Sequence, residues 1–595
     1  MTYKKTILGK PTKTMRKMKN MMKYFCLAVL AFAATAMTSC EKDEPAYNGD
    51  GVHFSTTVKL AGSTKALDAD GHKTFAEGDQ IAVIYKNTSG ATVKAVSDAL
   101  ATSDIESGGK VAKFSVDLDN PDKTKNVTYI YPAAMANSDG TMASIATQDG
   151  TLESLSSSLD YCTFTGAWSA GNLPANVSLT NELAILKLNI TDGSSDITAN
   201  VRQLTVSNGS NTVEVNRTPA AGPIYVAMLP VATGDIAFVA EDNSGDYYAK
   251  TVSGKTLNAG SLYPITIAMP FSSFYTPLTL EALTAGTIAV SSPKSGMKYS
   301  KNGGAKTAVA GSITVAIGDK VRFYGNGNSI TSYSGTKIAG GTAQVKAYGN
   351  MISLVKETDY TSATTLATEA FKEFFKGNTT LINASGLLLP ANVTLGTSSC
   401  QSMFSGCNKM TTAPAELPAA LATSCYRSLF YQCTSLTTVP ALPVTTMCES
   451  CYYQLFRGCT ALTTVPADLL PATTMERYCY YGMFYGCTNL TTVPALPATQ
   501  INDKCYNYMF YKCSSITTAP VLPAQTVPDG TYQEMFRYCS SLNSVTCYLT
   551  EVDVNFTAAS WLDGVAATGT FTTPSGTNWS TGVNGIPSGW NRVDL

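Results

Sequence analysis

Sixteen cysteines and only two histidines, His53 and His72, set the chemistry open to this 595-residue chain. Both histidines fall in or just before the first β-rich stretch, so the C-terminal half has no imidazole to act as a general base or to activate a nucleophile. Thirteen of the cysteines lie between positions 400 and 547. Their usual spacing is C-x7-C, and the lone C-x-x-C is Cys448 to Cys451, so the paired knuckles of a zinc site are missing. An odd number of cysteines on an apolar stripe fits stacked buried thiols better than a disulfide framework. Carboxylates are sparse in the same stretch, which disfavours the pair of acids about 5 to 10 Å apart that glycan hydrolysis requires. Glycines cluster in turns, without the spacing before a helix that cradles phosphate. These residues predict no enzyme, no metal and no cofactor.

The cysteines belong to an internal repeat. Phe404, Phe430, Phe456, Phe484, Phe510 and Phe536 recur at intervals of 26, 26, 28, 26 and 26 residues. Each is followed three residues later by Cys407, Cys433, Cys459, Cys487, Cys513 or Cys539, and then by Met410, Leu436, Leu462, Leu490, Ile516 or Leu542. Pro414, Pro440, Pro466, Pro494 and Pro520 close the first five units. Periods of this length mark a solenoid, whose units bury their apolar faces only by stacking. In C-Y-x-x-(M/L)-F-x-x-C the apolar positions fall within an arc of roughly 140° at about 100° per residue, which predicts a short helix. The proline-limited segment after it predicts a short strand and a turn.

The pattern F-x-x-C-x-x-L-T-T-x-P-x-L-P resembles the cysteine-containing, BspA-like leucine-rich repeats of Bacteroidota and spirochaete surface proteins. A degenerate unit with Phe375, Asn378, Leu381 and Leu389 precedes the array, and a helical run over 365–376 is expected to enter it. Ser399 and Cys400 replace Cys and Tyr in the first full unit, while Thr531 and Thr546 replace Cys and Pro in the last, as terminal units often do. Trp561, Phe571, Trp579 and Trp590 in the tail resemble the segment that commonly follows such repeats, and can cover the open end of the stack.

The first forty residues read as an address. Eight lysines and arginines precede the apolar run 24–37, which is too short for the roughly 20 residues of a spanning helix. The run ends in Ala36, Met37, Thr38, Ser39 and Cys40, which resembles a bacterial lipobox and implies cleavage before Cys40 and its acylation. Lys42, Asp43 and Glu44 follow Glu41 and resemble the acidic signal that sends such lipoproteins to the outer face of the outer membrane.

From 52 to 270 short alternating segments are broken by Gly, Asn, Asp and Ser, as in Leu186, Leu188 and Ile190, an all-β pattern. Segments Phe75 to Val83, Tyr129 to Pro132, Ala227 to Pro230 and Ala259 to Ile265 resemble the fimbrillin-like family. That resemblance implies two successive β-sandwiches, divided near 150–171. Residues 51–201 contain no arginine, a departure from shaft subunits matured by cleavage after Arg in that region. Residues 271–360 predict a further small β domain.

The expected architecture is mainly β followed by an α/β solenoid: leader 1–39, acylated tether 40–51, fimbrillin-like region 52–270, small β domain 271–360, solenoid 361–549 and cap 550–595. Charged residues are 14% against a usual value of about 25%, and the formal net charge is −1, so no basic field recommends a nucleic-acid partner. Tyr431, Arg457, Tyr485, Tyr511 and Arg537 form one outward column of residue types enriched at recognition sites, with Tyr453, Tyr481, Tyr508 and Tyr538 nearby. Thr437, Thr463, Thr491 and Thr517 line the alternative face. The expected function is a surface lipoprotein adhesin for a host or bacterial protein or glycan; the alternative is a fimbrial accessory or tip subunit that contacts other fimbrial subunits. Cys40→Ala should release the protein from membranes, because acyl chains are the expected anchor. Unchanged membrane fractionation of that variant would contradict the address.

Overall fold

The computed structural model describes residues 51–60, 74–155, 159, 161–326, 332–357, 360–389, 393–550 and 557–595. Cys40, Lys42, Asp43 and Glu44 lie outside the described residues. The chain forms two compact units. Among the described residues the first comprises 51–60, 74–143 and 162–180; the second holds 144–155, 159, 161 and those from 181 onward.

In the first unit one eight-stranded sheet runs Thr92–Val96, Ala82–Lys86, Val127–Tyr131, Cys162–Gly166, Asn176–Asn181, Val52–Leu60, Val111–Leu118 and Ile105–Glu106. The alternating residues of both halves, including Val58, Phe114 and Val116 from one and Val83, Tyr129 and Tyr131 from the other, share a single core. That is a sandwich closed by period-two burial. The second unit begins with another. Ile224–Met228, Ala184–Thr191 and Leu262–Ala268 face a five-stranded sheet of Tyr247–Leu257, Val231–Asp242, Val201–Ser207, Thr212–Asn216 and Thr147–Gln148, over a core of Leu186, Leu188, Leu204, Val206, Phe238 and their neighbours.

Next comes a six-stranded sheet that ends in Thr279–Ala282, Val345–Asn350 and Leu381–Leu388, with a three-stranded partner. Leu381–Leu388 lies parallel to Val345–Asn350 and also belongs to the degenerate first repeat, so the solenoid grows directly out of this sheet. One hydrophobic core accordingly runs without a break from Leu278 to Trp590. At its start Arg322, 1% exposed, is held by Asp246, with an Nη2 to Oδ1 distance of 2.6 Å, and Asp246 also accepts from Lys320.

The helix expected in each repeat, and the one expected at 365–376, are not found. Among the described residues the only α-helical turn is Leu152–Ser154, and the C-Y-x-x-L-F-x-x-C segments are chains of β-turns. The solenoid is therefore mainly β rather than α/β. Its unit has a period of four. In the second repeat Cys425, Tyr426, Leu429, Phe430 and Cys433 are buried in pairs, while Ser424, Ser428 and Gln432 each take a left-handed φ of 54–56°. A left-handed residue at every fourth position prevents helix propagation.

The backbone hydrogen bonds follow from that geometry. Cys425, Arg427, Leu429, Tyr431 and Cys433 donate to the carbonyl three residues back within the unit. The alternate residues Ser424, Tyr426, Ser428, Phe430 and Gln432 donate to Glu449, Cys451, Tyr453, Leu455 and Arg457 in the next unit. Every second amide thus stitches one repeat to its neighbour. Between the terminal units, which keep the strands Leu381–Leu388 and Ser544–Thr546, the strand half of the repeat is weaker than expected, reduced to isolated parallel bridges such as Glu416 to Ala441 and Thr446 to Thr474. Proline after the Thr-Thr pair removes the donor that a continued ladder would need.

Side chains stack in register on this frame. Phe375, Phe404, Phe430, Phe456, Phe484, Phe510 and Phe536 form a file with ring centroids 5.4–5.6 Å apart. Tyr426, Tyr452, Tyr480, Tyr506, Tyr532 and Trp561 form a second at 6.0–6.1 Å. Each cysteine of the F-x-x-C motif donates its S–H to the carbonyl of the preceding repeat's Phe, as Cys433 does to Phe404 at 3.1 Å and Cys539 to Phe510 at 2.9 Å. The thirteen cysteines of the array are free thiols. At the far end Ser544–Thr546, Gly569–Thr573 and Trp590–Asp594 form a parallel sheet, so the tail continues the stacking direction while Trp561, Trp579 and Phe571 close the core.

Two tests follow from the buried files. Burial raises the thiols of Cys433 and Cys487 from the ordinary 9.0 to about 12. Their neutral form is favoured in the fold, so the stability they contribute is complete below about pH 9 and is lost as pH rises toward 12. Thermal melts should hold steady up to pH 8.5 and fall by pH 10.5; an invariant melting temperature would contradict thiol burial. The Tyr506 hydroxyl is buried and finds no partner among the protein's atoms. Tyr506→Phe should then be neutral or stabilise by up to about 1 kcal/mol in urea unfolding, since an unpaired buried hydroxyl costs about 1–3 kcal/mol. A loss above that size would show that the hydroxyl is paired.

Candidate functional site

The two outward residues of each four-residue turn form columns along the array. The column expected from sequence is present: Tyr431, Arg457, Tyr485, Tyr511 and Arg537 each follow a buried Phe and are half-exposed. They are neighbours rather than separate exposed groups. Arg457 lies between the rings of Tyr431 and Tyr485, 5.7 and 3.9 Å from their centroids. Tyr485 stacks on Tyr511 at 4.4 Å, and Tyr511 meets Tyr538 edge-on at 5.6 Å. Arg537 is the exception within the column, engaged by Glu534 and Asp563 at 2.9 Å each. Those carboxylates hold it protonated more firmly than a free arginine.

A second column lies one turn earlier. Arg427 covers the face of Tyr453 at 4.2 Å, and Tyr453 stacks on Tyr481 at 4.6 Å with the rings 2° from parallel. Tyr478 packs edge-on against both, and Tyr481 leans on Tyr508, whose hydroxyl donates to Glu534 at 2.9 Å. Burial, reinforced by Tyr453, pushes the Tyr481 phenol up to about 12, so it stays an uncharged donor at physiological pH. These residues, with Glu449, Ser450, Lys504, Asn507 and Gln533, line an open groove of about 490 Å³. Asn507 is 2% exposed; its amide nitrogen donates to the Gly530 carbonyl and the Gln533 side chain, which leaves its Oδ1 unpaired in the floor.

The groove combines aromatic rings, hydroxyls, amides, two cations and the Glu449 carboxylate, a set suited to binding polar groups. Sequence reasoning located its Tyr453, Tyr481 and Tyr508 and missed Arg427, Tyr478, Lys504, Asn507 and Gln533. Arg427, Tyr453, Tyr481, Asn507 and Gln533 each stand three residues before a repeat's Phe, so the repeat register alone aligns them as one column. The opposite candidate face is plainer. Thr437, Thr463, Thr491 and Thr517 are exposed, and the hydroxyls of Thr437 and Thr491 donate back to the preceding unit's carbonyls at 2.9 Å, so they serve the stacking. Elsewhere, His53 is exposed and hydrogen-bonded to Asp117 at 2.6 Å. Among the described residues no group of three or more His, Cys, Asp or Glu side chains is placed to hold a metal ion. No described helix is long and apolar enough to cross a membrane.

The family model for the BspA type leucine rich repeat region matches residues 389–517 and 480–572, in six copies. Residues 389–572 of the solenoid are thus similar to a BspA-type leucine-rich repeat region. No curated protein matches the chain. Among solved structures, a tip fimbrial protein from Porphyromonas gingivalis is 13% identical, with 37% of this chain and 98% of that one covered and a TM-score of 0.20. A fimbrial assembly protein from Parabacteroides distasonis is 10% identical over 36% and 91% of the two chains, with a TM-score of 0.22. A leucine-rich repeat protein from Bacteroides thetaiotaomicron is 10% identical over 88% and 74%, with a TM-score of 0.18. Function therefore has to be argued from the surface of the BspA-type region itself.

If Arg457 couples to the ring beside it, a double-mutant cycle of Arg457→Ala with Tyr485→Ala should return about 0.5–1 kcal/mol of interaction energy in the array's urea transition. Additive single effects would show that the two side chains move independently.

Proposed function

We propose that this chain is a cell-surface adhesion protein that binds through the turn face of its BspA-type repeats. The observation that carries the reading is the pair of aromatic–arginine columns beside the groove: Arg457, Tyr485 and Tyr511 in one, Arg427, Tyr453 and Tyr481 in the other. Tyr and Arg held rigid before binding lose little side-chain entropy on capture, and this is the composition of interaction hot spots. Repetition along the stack supplies the same chemistry at several successive steps, which suits attachment to an extended or repetitive surface. The β-sandwiches serve as the spacer. Acylation at Cys40, export directed by Lys42, Asp43 and Glu44, and display on the outer membrane complete the proposal, on the strength of the leader sequence. Nothing in the groove calls for catalysis.

Cells that display the full-length protein should attach to their target surface at least tenfold less well when Arg427→Ala and Tyr481→Ala are combined. Thr437→Ala with Thr491→Ala, on the strand face, should leave attachment intact. Equal losses in both variants, or none in the first, would remove the turn face from the account.

A further inference from the structure

The groove's charge says what it would hold. Among the described residues Arg427 at one end and Lys504 three units further on form no ion pair, and Glu449 is the one carboxylate in the lining. Arg457 on the adjoining column and Lys512 beside it rest on tyrosine rings, again without an ion pair among the described residues. Their neighbours Arg477 and Arg537 are by contrast neutralised, by Asp503 and by Glu534 with Asp563. Within the groove two cations thus face one carboxylate, a local excess of positive charge on a chain of net charge −1. Tyr453 is sandwiched between Arg427 and Tyr481, so neither face of its ring is open to a nucleobase or an apolar side chain. The lining also supplies the Tyr478 and Tyr508 phenols and the Asn507 amide, whose Oδ1 lacks a donor among the described residues. The strip crosses four unit steps, on the order of 20 Å at the ~4.8 Å spacing of parallel strands.

We infer that the ligand of this groove is an acidic polysaccharide, an extended polymer whose hydroxyls meet the tyrosine hydroxyls and amides and whose carboxylate or sulfate groups meet Arg427 and Lys504. The inference rests on the turn face being the binding face. A polymer of this kind offers hydroxyl donors and acceptors at every residue and anions at regular steps. An acidic protein segment would bring charge but needs apolar anchoring, for which the groove has no pocket. Charge attraction at an open surface is screened by salt, so binding must weaken as ionic strength rises.

The test measures binding of the full-length protein to immobilised polygalacturonate, as the carboxylated probe, and heparin, as the sulfated one, with dextran as the neutral polymer and polyglutamate as the acidic peptide. The expected result is binding to polygalacturonate or heparin at least tenfold tighter than to dextran and polyglutamate; the stronger of the two identifies the anion. That binding should fall at least tenfold between 50 mM and 500 mM salt, and equally in the Arg427→Gln, Lys504→Gln variant with an unchanged melting temperature. Should the variant fail to fold, the salt series on the unaltered protein decides. Binding that is insensitive to salt, unselective between dextran and the anionic polymers, or as tight to polyglutamate would overturn the inference. Loss of cell attachment in Arg427→Ala, Tyr481→Ala without acidic-polymer binding would sink the ligand class while leaving the turn face in place. Polymer binding with attachment unaffected would do the reverse to the proposed function, since the groove would then have its ligand but no part in adhesion.

Discussion

Everything in the C-terminal half depends on how alternate backbone amides are used. With a left-handed residue at every fourth position, the chain cannot close i to i−4 bonds, and half of its N–H groups would be buried without partners. They find them in the next repeat: Ser424, Tyr426, Ser428, Phe430 and Gln432 each donate across the interface. Left-handed conformations at non-glycine residues such as Ser428 and Gln432 cost of order 1–2 kcal/mol each, and the inter-repeat bonds offset that strain. No repeat can satisfy itself alone. Cooperativity along the stack is therefore built into the backbone, and the Phe, Tyr and Cys files inherit its register.

The same constraint fixes the outer surface. Because successive turns superpose, side chains at equivalent positions are brought within ring-stacking distance, as Tyr453 and Tyr481 are at 4.6 Å. An isolated exposed tyrosine would sample rotamers; one stacked between Arg427 and Tyr481 is held before any ligand arrives. Cysteine suits the inner position for a related reason. It is small enough to let units approach, and its S–H satisfies the second lone pair of the preceding Phe carbonyl where a larger side chain would force the stack apart.

The sequence made the period, the buried set and the outer column legible, since repeats reveal equivalent positions without any knowledge of conformation. Helix and turn ribbon were indistinguishable by pattern. Over the nine residues from Cys425 to Cys433 a spacing of 4.0 departs from 3.6 by less than one residue, so both place Cys425, Tyr426, Leu429, Phe430 and Cys433 inward. What decides is the left-handed φ at Ser424, Ser428 and Gln432, residue types that do not announce it. The groove was half visible: Tyr453, Tyr481 and Tyr508 stand out by type, and Arg427 and Asn507 share the repeat position of Tyr453 and Tyr481, but only the turn geometry brings that position together with Tyr478 and Lys504 to line one groove. In the β-sandwiches, period-two alternation over Ala184–Thr191 carried the strand reading directly.

Residue-resolved amide hydrogen exchange on the folded protein tests the central claim most directly. The amides of Ser424, Tyr426, Ser428, Phe430 and Gln432 should be as protected as those of Cys425, Arg427, Leu429, Tyr431 and Cys433, and both sets should open together with the adjoining repeats. Rapid exchange at the first set, with protection confined to the second, would mean that the repeats close their hydrogen bonds internally and that the stack is not held by its backbone.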